Sequence, residues 1–159
     1  MNTDPTRYQD EGYCVFPRLL EQPVVRVVAQ SLDRMVNSIE EGRRLESLVE
    51  PHVHASDWQV WLELVRSPAI LRAVRSVLGT SELLFLSSHL LVKQPLDGLE
   101  VRWHQDNTYW PSVTGTDVCT VWIALERADR ENSCMRVIPR THEGFRIILK
   151  SHAQLSNHA

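Results

Sequence analysis

Apolar residues recur at Val24, Val28, Leu32, Met35, Val36 and Ile39, three or four positions apart, so one stripe of a helix is apolar and the rest polar. This spacing predicts one long amphipathic helix, closed by Gly42 and the charged Arg43-Arg44. Before it, Tyr13-Cys14-Val15-Phe16-Pro17 reads as extended. After it, the weakly patterned stretch to Ser56 reads as loop. Helix spacing returns from Asp57 to Val65, with Trp58, Trp61, Leu62 and Val65 on the apolar side. Ser67-Pro68 predicts a new start, because Ser can cap free backbone amides and Pro tolerates the first helical position. Gly79 then ends that helix at Leu78.

From Leu83 onward the character changes. Leu83 to Lys93 is a long apolar run, Pro95 to Gly98 has turn composition, and strands are predicted over Leu99 to Asp106, Asp117 to Leu125 and Ser133 to Ile138. Residues 1–80 thus read as a mainly helical scaffold and 83–142 as a β-rich part of the same single domain. Several antiparallel strands behind a helical layer give an α+β class, with a jelly roll or similar barrel as the architecture.

Composition narrows the setting without naming a function. The 159 residues suffice for one domain with its own core, and 23% charged residues with a formal net charge of -3 give no reason to expect nucleic acid or a membrane surface as partner. The N-terminal Met1-Asn2-Thr3-Asp4-Pro5 lacks the pattern of a secretory signal, and no apolar run reaches the length of a membrane span, so a cytoplasmic location is expected. Cys14, Cys119 and Cys134 are odd in number and widely spaced. They read as small buried residues and not as a disulfide framework or zinc knuckle.

The candidate chemistry lies in Trp103-His104-Gln105-Asp106-Asn107-Thr108-Tyr109-Trp110. In an extended segment alternate side chains share a face, so His104 and Asp106 point together while Gln105 points away. An imidazole and a carboxylate so placed are two thirds of a facial triad, which leaves positions on Fe(II) open for oxygen and an organic cosubstrate. The rings of Trp103, Tyr109 and Trp110 suit a water-poor pocket. The bland alternative is a half-buried strand whose His and Asp bond each other or the backbone. His52 and His54, with Asp57, repeat the spacing and are a second candidate cluster, although Pro51 and polar neighbours suggest an exposed loop.

The stretch from Lys93 to His142 resembles the phytanoyl-CoA dioxygenase family of Fe(II) and 2-oxoglutarate dependent oxygenases. Five blocks carry the resemblance in order: Lys93 with Pro95; Trp103-His104-Gln105-Asp106 with Tyr109-Trp110; Val121-Trp122-Ile123-Ala124-Leu125; Glu131-Asn132-Ser133-Cys134-Met135; and Val137-Ile138-Pro139-Arg140-Thr141-His142. Tyr8 to Val15 looks like the family's opening segment, and Ser67-Pro68 to Gly79 like the helix before its sheet. The resemblance implies a double-stranded β-helix of cupin type in which His104 and Asp106 bind Fe(II), Lys93 holds a carboxylate of 2-oxoglutarate and Trp122 lines the cosubstrate pocket. It also implies O2 as oxidant, succinate and CO2 as coproducts, and hydroxylation of a small organic or acyl substrate. Gln105 and Asn107 flank the ligands and are candidates to orient them, with surface exposure the expected fate of Gln105.

The departures from the family matter too. A second iron-binding His, followed about ten residues later by an Arg for 2-oxoglutarate, belongs to the family pattern. Neither His142, His152 nor His158 has such an Arg beyond it. The expectation is therefore an incomplete β-helix in a C-terminally truncated domain, with little turnover by this chain alone and a completing chain or homo-oligomer as partner. The alternative class is a catalytically inactive fragment or non-catalytic binding domain. A zinc hydrolase built on His104 and Asp106 lacks the further ligand and base it needs. Arg140 stands where the family has Gly, so a positive φ there predicts a stability cost.

Overall fold

The computed structural model describes residues 3–39, 50–93, 101–106, 110 and 118–142. Its helices are α1 (Tyr8–Glu11), α2 (Gln22–Asn37), α3 (Pro51–His54), α4 (Trp58–Val65) and α5 (Pro68–Leu78). Prolines sit in the first turn of α2, α3 and α5, where the missing N–H costs nothing. Gly12 and Gly79 take left-handed conformations that end α1 and α5. Ser67 occupies the position ahead of α5, but its side chain makes no capping bond. Its carbonyl instead accepts the Leu71 N–H.

One helix boundary and one whole helix differ from the sequence reading. The α2 helix stops at Asn37, short of Ile39, because the Ser38 hydroxyl donates back to the Met35 carbonyl while its N–H closes the last turn on Arg34. The predicted closing residues Gly42, Arg43 and Arg44 lie outside the described residues. The stretch to Ser56, expected to be loop, contains α3. Pro51 is buried, and Glu50, in a left-handed conformation, donates its N–H to the Ser88 carbonyl. Reading Pro51 as a loop marker missed its other role as a helix starter.

Packing explains why these helices hold together. Val28 and Met35 of α2, Ala55 just after α3, Trp61 and Leu64 of α4, Ile70 of α5 and Leu90 form one buried cluster. Each large apolar side chain so buried contributes roughly 1.5–3 kcal/mol. One polar network crosses it: Trp61 Nε1 donates to Ser31 Oγ (2.7 Å), and that hydroxyl donates to Asp57 Oδ1 (2.7 Å). Arg34 pairs with the other oxygen of Asp57. This network fixes the rotation of α4, so Leu64 turns inward while Trp58, expected on the apolar face, is left 41% exposed.

Two segments of the expected β-rich half, 90–93 and 122–125, keep the alternation of strands without their ladders. Leu90 is buried and Val92 packs on the helical core, whereas Leu91 and Lys93 are exposed. Ile123 and Leu125 likewise pack on the core, while Trp122 and Ala124 are exposed. Among the described residues no ladder strand forms, and His89 alone sits in an isolated bridge. Alternation requires only an extended chain laid on an apolar surface. A ladder also requires a neighbour that exchanges N–H and C=O groups. The expected turn at Pro95 to Gly98 lies outside the described residues, as do Leu99 and Asp117 at the starts of two expected strands.

Candidate metal centre

His104 and Asp106 come together, but not on a β-ladder. The chain bends at Trp103, and His104 Nε2 stands 3.2 Å from Asp106 Oδ1. The His104 and Asp106 side chains are 25% and 40% exposed. His104 Nδ1 lies 2.6 Å from the Arg102 carbonyl, which can only accept, so Nδ1 carries a proton and Nε2 is the ring nitrogen that faces Asp106. Thr120 donates its hydroxyl to the other carboxylate oxygen, Oδ2.

This arrangement fits a divalent metal on its donor chemistry. An imidazole lone pair and a carboxylate oxygen that face each other repel unless a proton or a cation lies between them. Two neighbouring ligands about 2.1 Å from a metal and at right angles to it stand about 3.0 Å apart, close to the observed separation. Both side chains also have the outer partners that a metal-binding group needs for orientation, a carbonyl for the ring and a hydroxyl for the carboxylate. Among the described residues no third His, Cys, Asp or Glu joins the pair.

The other sequence candidates fall into place less uniformly. Lys93 and Trp122 both lie on the sides of their segments that face away from the helices. Trp103 does not close a dry pocket: it is exposed, with the Arg136 guanidinium stacked 5.2 Å from its ring centre. Trp110 is half-buried, and Tyr109 and Asn107 lie outside the described residues, as do His152 and His158. Gln105, expected at the surface, is half-buried and donates to the Thr141 carbonyl at 2.8 Å. Of the second cluster, His52 Nδ1 bonds Ser88 Oγ at 2.6 Å with its ring edge-on to Phe85, and Asp57 is committed to Ser31 and Arg34.

The segment after the expected strands is tied to the N-terminus. His142 Nε2 lies 2.6 Å from the Gln9 carbonyl, the Arg140 N–H donates to the Glu11 carbonyl (3.0 Å), and the Arg140 side chain pairs with Glu11. Arg140 has a φ of +64°, so the left-handed conformation anticipated at this position is present and an arginine occupies it. Behind the site, burial pushes the Cys119 thiol up, and burial, with a smaller contribution from Cys119, raises the Tyr8 phenol. Cys119 is half-buried, while its neighbour Thr120 is exposed and bonds Asp106. Cys14, Cys119 and Cys134 are all unbridged and half-buried. Sequence reasoning missed Thr120 because the bond joins residues 14 positions apart; its place two residues before Trp122 in an alternating run was the available signal.

Comparison with known proteins gives a family and partial relatives. The profile of the family described as Phytanoyl-CoA dioxygenase (PhyH) matches residues 8–156. A probable phytanoyl-CoA dioxygenase of Caenorhabditis elegans is 23% identical over 149 residues, covering 91% of this chain and 46% of the relative. Phytanoyl-CoA dioxygenase domain-containing protein 1 of Mus musculus is 38% identical over 90 residues, 57% of this chain and 30% of its own length. L-proline trans-4-hydroxylase of Streptomyces griseoviridis is 28% identical over 150 residues, 87% of this chain and 54% of its own. The chain thus spans about half the length of these relatives or less. No solved structure matches.

Proposed function

The chain belongs to the phytanoyl-CoA dioxygenase family, and from that premise we propose that it forms the iron-binding part of an Fe(II) and 2-oxoglutarate dependent dioxygenase. The observation that carries this reading is the convergence of His104 Nε2 and Asp106 Oδ1, 3.2 Å apart, within the stretch that the family profile spans. His104 and Asp106 would hold the iron. Bound iron supplies the coupling of 2-oxoglutarate decarboxylation, with O2, to hydroxylation of a substrate C–H bond. The chain's own groups do the positioning: the Arg102 carbonyl fixes the ring tautomer, Lys93 offers an ammonium to a carboxylate of 2-oxoglutarate, and Trp122 flanks the cosubstrate.

In this reading the half-exposed segments 83–93, 101–106 and 118–142 form one side of a double-stranded β-helix, seated on the helices through Leu90, Val92, Ile123 and Leu125. The third ligand comes from His152 or His158, outside the described residues, or from a completing chain. Among the relatives, one name specifies proline and others phytanoyl-CoA. The substrate proposed here is accordingly only a small organic or acyl molecule with an oxidisable C–H bond.

Equilibrium dialysis with labelled 2-oxoglutarate under anaerobic conditions tests the proposal. Retention is expected to require Fe(II), to disappear in His104→Ala, and to weaken roughly tenfold or more in Lys93→Met, the scale of a lost charge-assisted hydrogen bond. Retention that ignores both Fe(II) and His104 would leave a binding domain without the iron chemistry.

A further inference from the structure

We propose that Thr120 is a positioning residue for the metal pair, holding the Asp106 carboxylate so that one oxygen is committed to protein and the other faces His104. The inference rests on the iron reading above and adds to it a residue outside the His104-Gln105-Asp106 motif. Three observations converge on it. Thr120 donates its hydroxyl to Asp106 Oδ2, while Asp106 Oδ1 is the oxygen 3.2 Å from His104 Nε2. The segment is anchored from behind, because Ile123 and Leu125 pack on the helical core. Alternation along that anchored segment then aims Thr120 away from the helices, where its hydroxyl meets Asp106.

The physical consequence concerns rotation of the carboxylate. An aspartate with both oxygens free can chelate a metal through both or swing away from it. One whose Oδ2 already accepts a hydrogen bond presents a single oxygen in a fixed direction. The Thr120 hydroxyl thereby keeps one more coordination position open than a two-oxygen carboxylate would, which a site that must also take 2-oxoglutarate and O2 requires. The γ-methyl of Thr120 restricts its own rotamer, so the hydroxyl is held in place at little further entropic cost.

The experiment is an anaerobic titration with Co(II), as an optical stand-in for Fe(II), and with Fe(II) itself, on the wild-type chain and on Thr120→Val and Thr120→Ser. Thr120→Val keeps the shape and removes the donor. It is expected to weaken metal binding about tenfold to a hundredfold and to change the Co(II) visible spectrum, while Thr120→Ser restores both. The urea midpoint of each metal-free variant serves as the control for folding. A Thr120→Val protein that binds metal with wild-type affinity and spectrum overturns the role of Thr120 and leaves the iron reading standing. A Thr120→Ser protein as impaired as Thr120→Val overturns it as well, since packing and not the hydroxyl would then be responsible. A wild-type chain that binds neither metal overturns the iron reading, and the role of Thr120 with it.

Discussion

Gly12 has no room for a side chain. A Cβ there would lie 2.3 Å from His142 Nδ1, and its φ of +76° is one that L-residues adopt at a cost of roughly 1–2 kcal/mol. Gly12→Ala is therefore expected to lower the urea midpoint and to release His142 from the Gln9 carbonyl, visible as a shift of the His142 ring signals by NMR. Arg140 shows the opposite strain. Its φ is positive, its guanidinium is largely exposed and Glu11 keeps Arg7 as a partner without it, so Arg140→Gly is expected to stabilise the chain by up to about 1 kcal/mol in chemical denaturation. At Ser31 the expectation reverses, because Ser31→Ala leaves the buried Trp61 N–H without its acceptor, a loss of about 1–3 kcal/mol. The meeting of His104 with Asp106 was legible because the two residues are neighbours in sequence. The bonds from Gln105 to Thr141 and from Thr120 to Asp106 were not, since each depends on where a distant segment docks.

Among the elements, α5 was the most legible: Ser67-Pro68 and Gly79 bracket it, and local chemistry alone sets both ends. Helix α3 was hidden because Pro51 serves equally in loops and in first turns, and only its burial decides between them. The apolar face of α4 was misjudged at Trp58 and Leu64, since the rotation of that helix is set by the bond from Trp61 to Ser31 on another helix. The α2 to α4 junction also carries a pH dependence. The Arg34 guanidinium, with help from Ser31, holds the Asp57 carboxyl below the ordinary aspartate value. A carboxylate lowered on folding contributes stability that is fully present above its unfolded value and is lost as pH falls through the folded one. Stability measured by urea unfolding is thus expected to decline below the ordinary aspartate range, and Asp57→Asn to flatten that decline.

At the scale of the whole molecule, the helical half closes a core while the other half leaves apolar residues outside. Val28 is 2% exposed, whereas Leu84 is 94% exposed, and Leu86, Leu91, Val121 and Ile138 are also exposed. Large apolar side chains left exposed in this number favour association. Light scattering is expected to show concentration-dependent assembly of the chain, reduced in Leu84→Lys with Leu86→Lys. The sequence showed which residues alternate in this half, and Leu90, Val92, Ile123 and Leu125 do turn toward the helices. Whether those segments pair into a sheet depends on neighbours that local alternation does not specify. The iron assignment rests above all on His104 and Asp106. Its most direct test is anaerobic Fe(II) titration of the wild-type chain beside His104→Ala and Asp106→Ala. Saturable binding of one Fe(II) per chain, weakened more than tenfold by either substitution, is the expected result. Fe(II) binding of equal strength in all three proteins would contradict it.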